Sequence, residues 1–196
     1  MNKLLFPLVL LLASLPTTEA EATVYNVDPT HSTVGFRVGH LGISKVTGHF
    51  AGFSGSFAFD PQNPAATEAA GQVVVKSIDT DQQKRDEHLR GPEFFDVAQY
   101  PIIDFKLTSV TPLGQNRYQA TGNFTMHGVS KPITLEVAFG GSVKDPWGNE
   151  RAAFTASTKL NRKDFGLTWN KVLETGGLLV GDEVEITLEI EGIAAK

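Results

Sequence analysis

The chain has 196 residues, a formal net charge of −5 at pH 7 and no cysteine. Disulfides, thiolate metal sites and a cysteine nucleophile are therefore excluded, and the dispersed lysines and arginines offer no basic face to a nucleic acid. The length suits one domain with a sizeable core.

The beginning of the chain reads as an export leader. Lys3 supplies a positive charge, Leu4 to Leu15 is an apolar run, and Ala20-Glu21-Ala22 offers a small-residue cleavage site. The run is shorter than the ~20 residues a bilayer span needs, and no later segment comes near it. The expectation is a cleaved signal peptide over residues 1–22, one domain over residues 23–196, a periplasmic location and no stable membrane insertion. A secreted domain without disulfides is held by its core alone, which suits a periplasm better than a harsher exterior.

Alternation of apolar and polar residues dominates the rest of the chain. Val34, Phe36 and Val38 share one face. From Lys45 to Asp60, Val46, Gly48 and Phe50 are followed by Phe53, Gly55, Phe57 and Phe59, so the parity changes around Gly52, which marks a bulge or bend. Asp60 to Pro64 is a turn, and Gly71 to Ile78 is the next strand. After a polar interruption come Ile103, Phe105 and Leu107. The stripe Tyr118 to Met126 and the stripe Ile133 to Phe139 come next, then a turn at Asp145 to Asn149. Ala152 to Leu160 and Val184 to Ile190 complete about eight strands of period two. The fold class is all-β: an eight-stranded antiparallel barrel, with one or two short helices between the third and fourth strands. A two-sheet sandwich is the alternative that periodicity leaves open. The stripes mix Phe with Gly, Ala and Thr, so the small residues either accommodate the large rings or line a tunnel.

The polar interruption, Asp81 to Tyr100, reads as a short helix. Thr80 is the expected cap, with Gln83 completing a capping box. Asp81–Arg85 and Asp86–Arg90 are acid-before-base pairs at i,i+4, and Gly91-Pro92 is the stop. Between Gln82 and Arg90 only Leu89 is apolar, so Phe94 and Phe95 are the expected anchors, one in the core and one on a tunnel wall.

The stretch SIDTDQQKRDEHLRGPEFFDVAQYP, Ser77 to Pro101, resembles the signature of the YceI-like family of periplasmic proteins. Asp28 to Ser32, Gly122 to Leu135, Asp164 to Trp169 and Val180 to Val184 are similar as well. The resemblance spans nearly all of residues 23–196. It implies a lipocalin-like barrel with an apolar tunnel that holds a polyisoprenoid, of quinone or prenyl diphosphate type, and no cofactor beyond that bound lipid. Candidate tunnel residues are Phe36, Val38, Phe50, Phe57, Phe94, Phe105, Phe124, Phe154, Phe165 and Trp169. Arg85 and His88, on one helix face, and Arg162 are the candidates for a lipid head group; the alternative is that Arg85 and His88 tie the helix to the barrel rim.

Other chemistries find little support. His31, His40 and His49 stand nine apart, which is no ligand spacing. There is no G-x-S-x-G elbow, P-loop or G-x-G-x-x-G. No catalytic or metal-binding residue is expected. The partner is a small-molecule lipid, with a homodimer left open. The alternatives are a non-catalytic interaction or stress protein with a filled barrel, and a small hydrolase or isomerase acting on lipid.

Overall fold

Strands break where the alternation of the sequence slips, and those breaks shape the barrel. The computed structural model describes residues 22–174 and 176–196; the expected leader, apart from Ala22, lies outside them. Strands β1 (Thr23–Val27) and β2 (Thr33–His40) both pair with β11 (Val180–Ala194), β1 through Val27↔Gly192 and β2 through Leu188↔Val34. They are two halves of one stave. β3 (Ser44–Phe50) and β4 (Phe53–Phe59) form the second stave, with Gly52 in the break between them. Its N–H reaches Ser77 Oγ at 2.8 Å, and a Cβ there would press on Ser77 and Val74. β5 (Glu68–Val74) and β6 (Ile78–Asp79) form the third, pairing with β4 and β3 respectively.

Four long strands carry the circuit onward: β7 (Ile102–Gly114), β8 (Arg117–Met126), β9 (Val129–Lys144) and β10 (Glu150–Asn161). β10 pairs with β11, and β11 returns to β1 and β2, so the sheet closes. Counting each broken stave once, the result is a closed eight-stranded antiparallel barrel, which rules out the sandwich. Full closure leaves the ring without the exposed edges of an open sheet.

One short helix, α1 (Gln83–Arg90), lies between β6 and β7. It starts two residues later than the capping box predicts. Asp81 adopts φ 60°, which swings the chain, and Gln82 becomes the cap, its side chain accepting from Arg85 N–H at 2.6 Å. Thr80 is buried instead, and its N–H donates to Asp86 at 3.0 Å. The two expected i,i+4 ion pairs do not form. Arg85 donates to Thr80 Oγ1 and O, and Arg90 donates to the carbonyls of Lys76 and Ile78 at 2.8 and 2.6 Å. The helix is thus pinned to the chain in and around β6, while Asp81 stays in solvent and the buried Asp86 accepts from the N–H and hydroxyl of Thr80.

Two buried clusters fill the ends of the barrel. At the helix end, Phe50, Ile78, Phe94, Phe124, Phe165 and Leu167 pack together. At the other end, Tyr25, Phe57, Phe59 and Tyr118 pack with Phe139 and Phe154. Much of the small-residue content serves the rings. A Cβ on Gly48, Gly122 or Gly192 would collide with Phe36, Phe105 or Phe57 at 2.4 to 2.6 Å. Gly71 differs: it faces inward on β5, and a Cβ there would meet only Ser54 O, at 3.5 Å.

Candidate functional site

Inward side chains of an eight-stranded barrel are expected to be buried, and on β8 they are: Tyr118, Ala120, Gly122, Phe124 and Met126. On β11 the inward Val184, Ile186, Leu188 and Ile190 are only half-buried, as are Val34, Phe36 and Val38 on β2. Their exposure is to the interior. A cavity of about 350 Å³ runs through the barrel between the two clusters, within the ~300–1,000 Å³ range of small-ligand sites. Its wall is almost wholly apolar, made of Phe, Val, Ile and Leu from every stave.

Eight of the ten residues singled out as tunnel lining stand on this wall: Phe36, Val38, Phe50, Phe57, Phe94, Phe105, Phe124 and Phe154. Phe95 stands there with Phe94, so the expected division of the pair into core and wall does not hold. Phe165 and Trp169 stand elsewhere. Phe165 is 2% exposed and packs edge-on against the back of Phe124, ring centroids 5.3 Å apart, because the 3₁₀ turn Arg162–Phe165 directs it into the core. Trp169 leaves the wall because its indole N–H finds Glu93 Oε1 at 3.1 Å. A half-buried indole can turn its polar edge outward to such a partner. Val184, Ile186, Leu188 and Ile190, read from the sequence only as a closing strand, prove to be a large part of the wall. Leu89, the single apolar residue of α1, joins them.

The three head-group candidates separate. Arg85 is committed to Thr80, away from the cavity. His88 pairs with Glu93 Oε2 at 2.7 Å and packs edge-on against Phe94 and Trp169, at 4.9 and 5.0 Å. Glu93 therefore ties α1 to the segment after β10 through His88 and Trp169. Arg162 alone of the three lines the cavity. It is 5% exposed, and its guanidinium donates to Gly181 O at 2.9 Å and to Leu167 O at 2.5 Å. Its carboxylate partner, Asp182, lies at 3.5 Å and is drawn to Lys163 at 2.9 Å. Burial lowers the Arg162 pKa from its ordinary value, and Asp182 offsets that only in part.

Among the described residues, histidine and carboxylate meet at two places, His31–Asp28 and His88–Glu93, and neither pair lines the cavity. Asp28, His31 and Glu191 bring possible ligand atoms within 4.8 Å of one another, a grouping that histidine spacing cannot reveal. Arg151 donates to both carboxylates of that group, so a positive charge already sits where a cation would bind. The cluster fits an ion-pair network better than a metal centre.

Residues 25–192 match the family described as the YceI-like domain. Protein YceI of Salmonella arizonae is 41% identical over 189 residues, covering 94% of this chain and 95% of the relative. Among solved structures, Burkholderia cenocepacia BcnA is similar with a TM-score of 0.75 at 25% identity, over 84% of this chain and 98% of that one. A polyisoprenoid binding domain from Saccharophagus degradans, implicated in plant cell wall breakdown, shares the fold with a TM-score of 0.64 at 16% identity, over 88% of this chain and 99% of that one. Family match, curated relative and barrel agree, and the chain belongs to the YceI-like family.

Proposed function

We propose that the barrel binds the hydrocarbon of a long-chain amphiphilic lipid, of the polyisoprenoid class, and carries it in the periplasm without chemistry. The observation that carries this reading is the apolar cavity, with its wall of inward side chains left half-exposed. Each methylene moved from water into such a space gains ~0.8 kcal/mol, so a five-carbon unit contributes roughly 3–4 kcal/mol before the cost of ordering the chain. Phenylalanine and aliphatic surface holds hydrocarbon without directional demands, which suits a repeating chain. Arg162 is the group on the wall suited to a phosphate or other anionic head, because a guanidinium can offer paired N–H donors. The isoprenoid class draws support from the Saccharophagus degradans domain of the same fold.

The cavity weighs against an interaction protein with a filled barrel. A lipid-acting hydrolase or isomerase draws no support from the wall, where among the described residues no histidine stands. The test is native mass spectrometry of protein released from the periplasm without detergent, followed by organic extraction. The expected result is a polypeptide beginning at Thr23 with a discrete lipid adduct. Failure of the protein to appear in the periplasmic fraction sinks the location. A bare mass that stays bare after incubation with polyprenols and fatty acids sinks the lipid reading.

A further inference from the structure

The two ends of the cavity are chemically unlike, and the difference limits what fits. Arg162, just beyond the end of β10, stands at the helix end, while Phe154 lies near the start of the same strand. At ~3.4 Å per residue the two are roughly 27 Å apart along β10, or roughly 20 Å along the barrel axis after strand tilt. Phe154 does not stand alone. Its ring meets Phe57 edge-on at 5.3 Å and Phe59 at 4.9 Å, and all three line the cavity. Phe139 packs behind Phe59 and Phe154 at 4.9 and 5.0 Å, and Tyr25 stacks on Phe57 at 5.0 Å.

Rings locked on several sides form a floor rather than a gate. A single ring can swing aside by changing rotamer; a cluster in which each ring is wedged by two or more others cannot do so without opening the barrel. Gly192 adds to this, because the Phe57 ring fills the place where a side chain on that residue would stand.

Resting on the lipid-binding reading, we propose that Phe57, Phe59 and Phe154 are the residues that set ligand chain length. A polyprenyl chain lies with its polar end at Arg162 and its last unit against the rings. Chains up to that span gain affinity with each added unit, and a longer one must leave its surplus outside. The site therefore rewards added prenyl units up to that span and gains nothing from units beyond it.

The experiment titrates farnesol, geranylgeraniol and solanesol, in that order of length, into delipidated protein and its variants. Wild type should gain about tenfold or more from farnesol to geranylgeraniol and nothing further from solanesol. Phe154→Ala should deepen the cavity and restore a gain of about tenfold for solanesol. Phe154→Leu, a smaller loss of volume, should do so in part and serves where the alanine variant does not fold. Gly71→Leu, placed where a side chain has room, should move the limit to shorter chains. A steady gain from farnesol to solanesol in wild type, or a limit that stays in place in every folded variant, overturns the length gauge and leaves lipid binding standing. Absence of binding by all three polyprenols overturns the gauge and the lipid reading together.

Discussion

Arg151 and Arg162 mark the two ends of the barrel, and they are held in opposite ways. Arg151, at the aromatic end, sits among three carboxylates: Asp145 and Asp28, each at 2.9 Å, and Glu191. Its pKa rises above the ordinary arginine value, first through Asp145 and then through Glu191 and Asp28. Arg162, at the helix end, has two backbone carbonyls and a distant shared carboxylate, and burial lowers its pKa. A cation whose charge is matched is structural, here lacing the ends of β1 and β11 to the β9–β10 turn. A buried cation matched mainly by neutral dipoles, on the wall of an apolar cavity, retains charge for an incoming anion.

The largest expected effect comes from breaking the matched end. Arg151→Met strands the carboxylates of Asp28, Asp145 and Glu191 together and should lower Tm by roughly 10 °C at pH 7, read by calorimetry. The pH dependence distinguishes this from a packing defect. Asp28 is held well below the usual carboxylate range, first by the Thr30 hydroxyl, then by His31 and the Thr30 N–H, with Arg151 adding to it. Asp145 is held low by Arg151 first and by Asn149 next. Depressed folded-state values mean that the folded form is favoured above the ordinary carboxylate pKa of about 4, and that the advantage is lost as pH falls below it. Wild-type Tm should therefore drop between about pH 5 and pH 2. That drop should be smaller in Arg151→Met, whose carboxylates have less to lose on protonation.

At the other end, Arg162→Ala leaves the carbonyls of Leu167 and Gly181 without their donor. It should destabilise by about 2–4 kcal/mol in urea titration. A functional readout sharpens the contrast: Arg162→Ala should lose affinity for a prenyl phosphate while keeping that for the matching prenol. Arg151→Met, where folded, should treat the two alike. Glu93→Gln weakens the tie from α1 to Trp169 through an exposed pair, so stability should change by less than ~1 kcal/mol. Lipid should then leave faster, measured by stopped-flow release to vesicles. Gly71→Leu is expected to have the smallest effect on stability, shifting Tm by no more than a few degrees, and yet to remove the gain in affinity from farnesol to geranylgeraniol.

Much of the barrel is legible in the sequence because period-two alternation is a local property. The parity change between Phe50 and Phe53 locates a stave break to the residue, since an inward-facing stripe can change register only at a bend. β1 escapes notice: in Thr23–Val27 a single buried Tyr25 sits beside an exposed Val24, too short a pattern to stand out. The helix is visible as a polar interruption, but the partners of its side chains are not. Arg85 and Arg90 choose the carbonyls of Thr80, Lys76 and Ile78, in and beside β6, and no sequence spacing encodes that choice.

The wall is half legible. Phenylalanines in the stripes read as lining, and most of them are. Trp169 and Phe165 differ because each has a better partner nearby, Glu93 for one and Phe124 for the other. The aliphatic face of β11 is visible as a stripe yet not recognisable as a cavity wall. Whether inward residues touch one another or surround a void depends on what stands across the barrel.

By itself the sequence determined the family, the strand count, the break at Gly52 and the polar segment over the rim, because these depend on patterns within a few residues of chain. Tertiary structure alone decided that the barrel closes, that its interior holds a cavity, that the rings of Phe57, Phe59 and Phe154 meet as a floor, and that Arg162 faces apolar space while Arg151 is matched. Each of those depends on distances between strands far apart in sequence, set by closure of the sheet and by the volumes of facing side chains.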